Sequence, residues 1–413
     1  MNPSLPPALD RNNKLFTAAV MGGGGVIGSG ISILVGGAVY ANLYHAMRGR
    51  LSFTKDRDVR AITMAFAFFY LVEAFSSLIH YSHLKSLWPL VQNVPFLAFP
   101  LIYARLEISR RAAIATALEA GFVIGAFAGF IYAAVEVFWM GAVRAEGLAG
   151  NQGPFALVNT VIYGGCIIVA LRNGGTVGLA SLVAAVLAAG SILMSGTRSL
   201  WPIILIAPVV LAFLYPAEMR RLLSPRRAAI AGALALVIGV LAYPLAEARI
   251  DNFLSDYDRV FAEGDLDNSL GTRLRVWETG YRLILERPLL GHGPDAADEL
   301  IGGYTHFHNF VMNAWVMSGI FGVVAVLGIL VVPVIVLARR PSGDLRKFGF
   351  ALSLLLSTSY LVSGTVGIMF GHDILDALFV YGTIVAAFLA CGEDSPAGSE
   401  AGSISPRIGA PEA

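Results

Sequence analysis

Apolar residues gather into runs close to twenty residues long, separated by short polar connections, over most of the chain. The runs fall near residues 15–44, 61–79, 87–104, 112–141, 155–171, 176–194, 200–216, 228–246, 309–338, 348–368 and 374–391. At 1.5 Å per residue, a helix of about twenty residues crosses a hydrocarbon core of about 30 Å. Lipid offers the backbone no hydrogen bonds, so such runs predict helices; a barrel would need short alternating strands. The pattern predicts an all-α polytopic membrane protein with eleven spans if the first run is a single helix. As one helix that run would be roughly 45 Å long, and it carries "MGGGGVIGSG" in its middle. Two short helices with a glycine-rich bend would make twelve, and periodicity leaves both counts open.

Composition supports the membrane reading. The 413 residues are 56% hydrophobic and only 14% charged, with a mean hydropathy of +0.70, against about a quarter charged in soluble domains. The net charge of +1 gives no sign of a nucleic-acid partner. Cys166 and Cys391 lie inside or at the end of apolar runs, so neither a disulfide nor a cysteine metal site is expected. No cleavable signal peptide is expected, because the first run is glycine-rich and lacks an A-x-A site.

Charge adds orientation. Arg48, Arg50, Lys55, Arg57 and Arg60 form one basic cluster, and Arg105, Arg110 and Arg111 the next. Arg172 follows alone, then Arg220, Arg221, Arg226 and Arg227, then Arg339, Arg340, Arg346 and Lys347. The intervening short connections hold only Lys85, Arg144 and Arg198. The positive-inside rule places the rich set in the cytoplasm. It divides the chain into an N-terminal bundle (1–246), one long external loop (247–308), C-terminal helices (309–391) and a small, polar, Pro/Gly-rich tail (392–413) expected to be disordered and cytoplasmic.

Within the loop, "TRLRVWETGYRLILE" (272–286) spaces Leu274, Trp277, Tyr281 and Ile284 for one face of an amphipathic helix near the membrane surface. "RPLLGHGPDAADEL" ends it with Pro288, Gly291 and Gly293, and a short helix is expected from Asp295. "YTHFHN" then leads into the next span.

Chemistry is concentrated on the same outer side. It comprises Arg198 in "SGTRS", Arg273 and Arg275 in "GTRLR", His306 and His308 in "HFHN", and His372 with Asp373 in "FGHDILD". Three readings of the histidine pair are open. An H-x-H pair ligates zinc only with a further ligand, for which His292, His372 and Asp373 are available. Two rings at a helix mouth with Asn309 near the cap also serve as interfacial anchors. A neutral imidazole, with its ordinary pKa near 6.5, takes a proton from a hydroxyl. Arg259, Arg282 and Arg287 read as solvated charges. Arg198 stands in a connection of about five residues on a side depleted of positive charge. It is either a snorkelling anchor or a forked partner for a phosphate.

"SGTRSLWPIIL" (195–205), "GTRLRVWETGYRLILERPLLGHGP" (271–294) and "HFHNFVMNAWVMSGIFGVV" (306–324) together resemble the O-antigen ligase and polymerase superfamily. All three motifs occur in that family's order: a small-residue–Arg element, an Arg-x-x-x-Trp helix followed by Pro-Leu-x-Gly-x-Gly, and a His-Asn pair entering a helix with a Gly-hydrophobic-hydrophobic-Gly pattern. The resemblance implies a bacterial inner-membrane glycosyltransferase of lipopolysaccharide or other polysaccharide biosynthesis, working at the periplasmic face. It implies a glycan donor carried on undecaprenyl diphosphate, no cofactor or metal, and inversion at the transferred sugar. By residue, His308 matches the general base and His306 a positioning neighbour. Arg198 and Arg273 match the arginines that hold the diphosphate. Arg275 lies about 200° from Arg273 on a helix, so one of the two is expected to face the site. His372–Asp373 falls where the family often carries an acidic residue, and Asp376 competes for that place. The ligases use a lipid A-core acceptor, and the reading leans that way; the polymerases extend another lipid-linked repeat unit. A non-catalytic glycan transporter is the alternative of a different class, with Glu73, Glu119 and Glu136 inside apolar runs as its candidates. No visible internal repeat supports it.

Overall fold

The structure, a computed structural model, describes residues 7–222, 224–340, 343–367 and 369–392. The tail expected to be disordered lies outside these residues except for Gly392. The described residues contain no strand. The first apolar run is two helices, α1 (Pro7–Ile27) and α2 (Gly30–Met47). They turn at Gly28, φ 60°, where a β-carbon would lie 2.0 Å from the carbonyl oxygen of Leu148. The glycines upstream stay helical and serve packing instead. A β-carbon on Gly22 would lie 2.1 Å from Gly121 O, and one on Gly125 would lie 2.3 Å from Gly22 O. Gly121 and Gly125 are four apart, so the two helices meet in a small-xxx-small crossing, in which backbones approach closely and dispersion replaces the hydrophobic drive that lipid removes.

Along the chain there follow α3 (Arg57–Ile79), α4 (Leu84–Leu106), α5 (Arg111–Trp139), α6 (Gln152–Arg172), α7 (Gly175–Met194), α8 (Arg198–Leu214) and α9 (Pro225–Phe261). Prolines at 89, 95 and 100 restart α4 in short pieces. Beyond α9 come α10 (Ser269–Glu286) and α11 (Ala296–Leu300), then α12 (Phe310–Ala338), α13 (Asp344–Gly364) and α14 (Asp373–Cys391). Eight helices among the described residues are long and apolar enough to cross a membrane: α3 to α7, α9, α12 and α14. This is an all-α polytopic membrane protein.

The core sits around α6 and α14, which are buried along almost their whole length. A helix apolar all round belongs inside a bundle, and α6 reads that way from Pro154 to Leu171. Aromatic rings fill the space beside α14, where Phe379 packs against Phe66, Tyr360 and Phe370.

Ion pairs tie alternate connections together at the end opposite the long loop. Arg340 contacts Asp56 and Asp58 at 2.5 Å, Lys347 contacts Glu218 at 3.4 Å, and Arg172 bridges Glu119 and Asp344. Of the three glutamates inside apolar runs, Glu119 answers Arg172, and Glu136 accepts the backbone N–H groups of Glu146 and Gly147 at 2.9 and 3.0 Å.

At the loop end, two expectations shift. The boundary at 246/247 falls inside α9, whose 37 residues make a helix roughly 55 Å long, well beyond a hydrocarbon core. Hydropathy ends near 246, but i→i−4 bonding does not depend on the surrounding solvent, so the helix continues into the loop. The expected face of the amphipathic helix is also rotated. Tyr281 is exposed, and α10 buries Val276, Gly280 and Leu283 against Phe307 and Val316. Gly280 sets this face, since a β-carbon there would lie 2.4 Å from the Met312 sulfur and 2.8 Å from the Phe307 ring.

Candidate active site

The site is built on an interruption in α12. Gly319 has φ 65° and ψ −162°, which breaks the helix within its apolar length. A broken helix leaves carbonyls without partners, and these are costly away from water. Here residues 288–293 supply the missing bonds. His292 N donates to Val316 O at 2.7 Å, Gly293 N donates to Met317 O at 2.9 Å, and Ile320 N donates to Pro288 O at 3.0 Å. The Trp315 indole N–H also donates to Pro288 O at 2.9 Å. The fit admits no side chain at the crossing, because a β-carbon on Gly319 would lie 2.0 Å from Leu289 O. From α3, Ser76 Oγ donates to Met317 O at 2.8 Å, and Glu73 accepts from Ser318 Oγ at 3.1 Å. The Pro-Leu-Leu-Gly-His-Gly stretch is therefore a lace between loop and membrane helix. The Nε2 atom of the His292 ring is hydrogen-bonded to Leu283 O at 2.8 Å.

The lace delivers the histidine pair. Phe307 is fully buried and held at both backbone groups: the Trp277 indole N–H donates to its carbonyl at 3.0 Å, and its N–H donates to Asn313 Oδ1 at 3.3 Å. Asn309 caps α12 by accepting from Met312 N at 3.0 Å. Between these anchors His308 is forced to φ 51°, the only positive φ among the described non-glycine residues. For an L residue this costs on the order of 1–2 kcal/mol and persists only where its surroundings over-determine it. The two rings lie 4.2 Å apart between centroids, with Tyr304 edge-on to His308 at 6.3 Å. Burial, then the neighbouring His306, then the positive charge of Arg273 lower His308 to about 4. Burial likewise lowers His306, whose Nδ1 is buried without a partner. Both rings are neutral near pH 7.

Arg273 stands close enough to act on both rings, and it is itself lowered by burial and by the charge of Arg198. Arg198 lies over the Phe253 ring at 5.1 Å and donates to the Arg249 carbonyl. The structure thus brings together Arg198, Arg273, His306 and His308 from three separate stretches of sequence. It leaves Arg275 aside: its guanidinium is half exposed and pairs with Asp267 at 3.0 Å.

His306 also lines a cavity of about 290 Å³, together with Glu73, Asn93, Asn313, Met317 and Gly371. His372 turns to Asp373 at 3.3 Å, and Asp376 accepts the Gly371 N–H at 3.2 Å. Asp373 and Asp376 line a different cavity, of about 220 Å³, beside α4. Among the described residues, neither group of three potential metal ligands, Asp56–Asp58–Cys391 and His83–Asp295–Glu299, includes His306 or His308.

Two arginines join the site without having been singled out in the sequence. A β-carbon on Gly196 would lie 3.1 Å from Arg249 Nε and 3.5 Å from Arg144 Cγ. The argument that selected Arg198, a lone arginine in a short outer connection, applies equally to Arg144. Arg249 carries no such signal, because it closes an apolar run.

An uncharacterized protein of Haemophilus influenzae is 26% identical over 174 residues, covering 38% of this chain and 42% of that protein. The chain therefore spans less than half the length of that relative. The O-antigen ligase family model matches residues 183–327, which contain Arg198, Arg273, the lace, His308 and the break in α12. Over those residues, about a third of its length, the chain is similar to the O-antigen ligase family.

Proposed function

We propose that this protein transfers a glycan from undecaprenyl diphosphate to a hydroxyl of the lipid A core, at the periplasmic face of the bacterial inner membrane, with inversion at the sugar. The observation that carries the reading is the placement of a strained, neutral His308 beside Arg273, which in turn feels the charge of Arg198; neither guanidinium is in a salt bridge among the described residues. The acceptor hydroxyl gives its proton to the free ring nitrogen of His308 as its oxygen bonds to the anomeric carbon. The bond from that carbon to the diphosphate oxygen breaks on the opposite face, and undecaprenyl diphosphate leaves. Arg198 and Arg273 stabilise the charge gathering on the departing oxygens, as preorganised donors do where charge develops in a transition state. Two guanidiniums here take the role that a divalent cation has in many sugar transferases. His306 supports the second ring and faces the cavity lined by Asn93 and Asn313, where acceptor hydroxyls would find partners.

A ring near pKa 4 is always available as a base but weak. Donor binding acts on the smallest of the three causes: two phosphate charges beside Arg273 offset its repulsion of His308, while burial and His306 continue to hold the ring low.

The test is transfer by the purified protein in lipid nanodiscs with EDTA present. Undecaprenyl-diphosphate glycan would be offered with lipid A core, and separately with further lipid-linked repeat units as the only acceptor. Conjugate on the core supports the ligase reading. Extension of the repeat alone makes the protein a polymerase. If undecaprenyl diphosphate is released with neither acceptor, the transferase reading fails.

A further inference from the structure

We infer that Arg249, with Arg144 beside Gly196, forms a second anion subsite that binds a phosphate or carboxylate group other than the donor diphosphate. The inference rests on the transferase reading for its assignment of the diphosphate to Arg198 and Arg273. It starts from a count of charges. A diphosphate esterified at both ends carries two negative charges, which Arg198 and Arg273 already match. Arg249 then remains, half buried, with no ion pair and no hydrogen-bonded side-chain partner among the described residues. Two acids of the surrounding segments are otherwise engaged. Glu247 accepts from the Tyr243 hydroxyl at 2.9 Å, and Glu136 accepts two backbone N–H groups. Elsewhere in the same loop, solvated arginines do find carboxylates: Arg259 pairs with Asp265, and Arg275 pairs with Asp267. A partly desolvated guanidinium left without an anion beside two others is unfavourable unless an anion arrives.

Geometry gives the subsite its shape. Gly196 has φ 65°, and any side chain there would press on both arginines, since its β-carbon would stand 3.1 Å from Arg249 Nε and 3.6 Å from Arg144 Nε. Thr197 Oγ1 donates to the Gln152 carbonyl at 3.2 Å. In the orientation its neighbours require, the Gln152 side-chain oxygen accepts from Arg144 Nη1 at 3.0 Å while its nitrogen donates to Glu146 at 3.0 Å. This holds Arg144 in place and leaves Arg249 as the open donor. Because α9 rises out of the apolar bundle here, the anion that fits is one borne by a lipid at the membrane surface. It is either a phosphate or carboxylate on the acceptor glycolipid or the headgroup of an anionic phospholipid.

The test measures binding to the full chain in phosphatidylcholine nanodiscs, so that it is scored even if transfer is never seen. Three probes are titrated: undecaprenyl diphosphate, a monophosphorylated glycolipid with its dephosphorylated counterpart, and phosphatidylglycerol. The subsite predicts that the phosphorylated glycolipid or phosphatidylglycerol binds while undecaprenyl diphosphate is saturating. Whichever of the two binds identifies the source of the anion. Arg249→Gln should weaken that binding about tenfold and change undecaprenyl diphosphate affinity less than twofold, while Arg249→Lys, which keeps the charge, should retain most of it. Arg273→Gln should do the reverse. Displacement of either monoanionic probe by undecaprenyl diphosphate, or equal loss of undecaprenyl diphosphate affinity in Arg249→Gln and Arg273→Gln, would overturn the inference and leave one shared site. Failure of undecaprenyl diphosphate to bind while a monoanionic lipid still requires Arg249 would refute the transferase assignment and keep the subsite.

Discussion

Arg172 and Arg273 are both arginines withdrawn from water, at opposite ends of the same bundle. Arg172 touches Glu119 and Asp344 and lies over the Phe348 ring, so its charge is matched on the spot and ties three helices together. Arg273 faces Arg198 and two histidines, and no carboxylate is bonded to it among the described residues. A buried charge with its partner is architecture, and one held without a partner is a site awaiting an anion. The end opposite the loop closes its charge balance within the protein, whereas the loop end leaves its balance open.

His308→Ala probes the open end most severely. It should reduce transfer on the order of 10²–10⁴-fold, the range of a general base, with undecaprenyl diphosphate binding retained. Arg273→Gln should reduce kcat/KM on the order of 10²–10³-fold while thermal stability stays level or rises, because it removes a cation repelled by Arg198. Arg172→Ala should show the opposite split. It should cost about 2–3 kcal/mol of stability, below the full figure for a buried pair because Asp344 reaches solvent, with transfer per folded molecule near wild type. If Arg273→Gln unfolds the protein and Arg172→Ala spares it, the contrast between the two ends is wrong.

Acidity sharpens the same contrast. His308 is lowered, so the neutral, active ring persists as pH falls below 6.5 and is lost only near 4 in the free enzyme. The acidic limb of kcat/KM should therefore fall near pH 4. The limb of kcat, which reports the donor complex, should lie only slightly higher, since the bound diphosphate offsets Arg273, the smallest of the three causes, and leaves the ring buried. Coincident limbs would remove Arg273 from the electrostatics of the base. Arg275→Ala should have the smallest effect, within about twofold in transfer and about 0.5 kcal/mol in stability, as expected of an exposed pair.

The helices were legible because a membrane leaves the backbone few choices. The motifs that set His308 and Arg273 apart were legible through a family resemblance. Three features were not. Gly291 and Gly293 read as a turn and Gly319 as part of a helix, yet their use is to let one segment lie across a break in another, a contact between stretches of chain that hydropathy does not register. The strained backbone of His308 follows from Phe307 being pinned by Trp277 and Asn313, and no local pattern announces it. Arg249 looked like the end of an apolar run because the segment it meets is fifty residues upstream.

The lace also constrains the order in which the protein is made. Residues 288–293 leave the ribosome before α12, and they carry the donors that the carbonyls of Val316 and Met317 require. When α12 enters the bilayer, that stretch must already be on the far side and within reach. A helix inserted without it would strand two carbonyls in oil. The loop and the helix thus satisfy one another's backbone groups, and the break in α12 is stable only with both in place. A chain cut at the start of α12 would lack the carbonyls that residues 288–293 bond and the cap that Asn309 forms with Met312, so His308 would lose the anchors that fix its backbone.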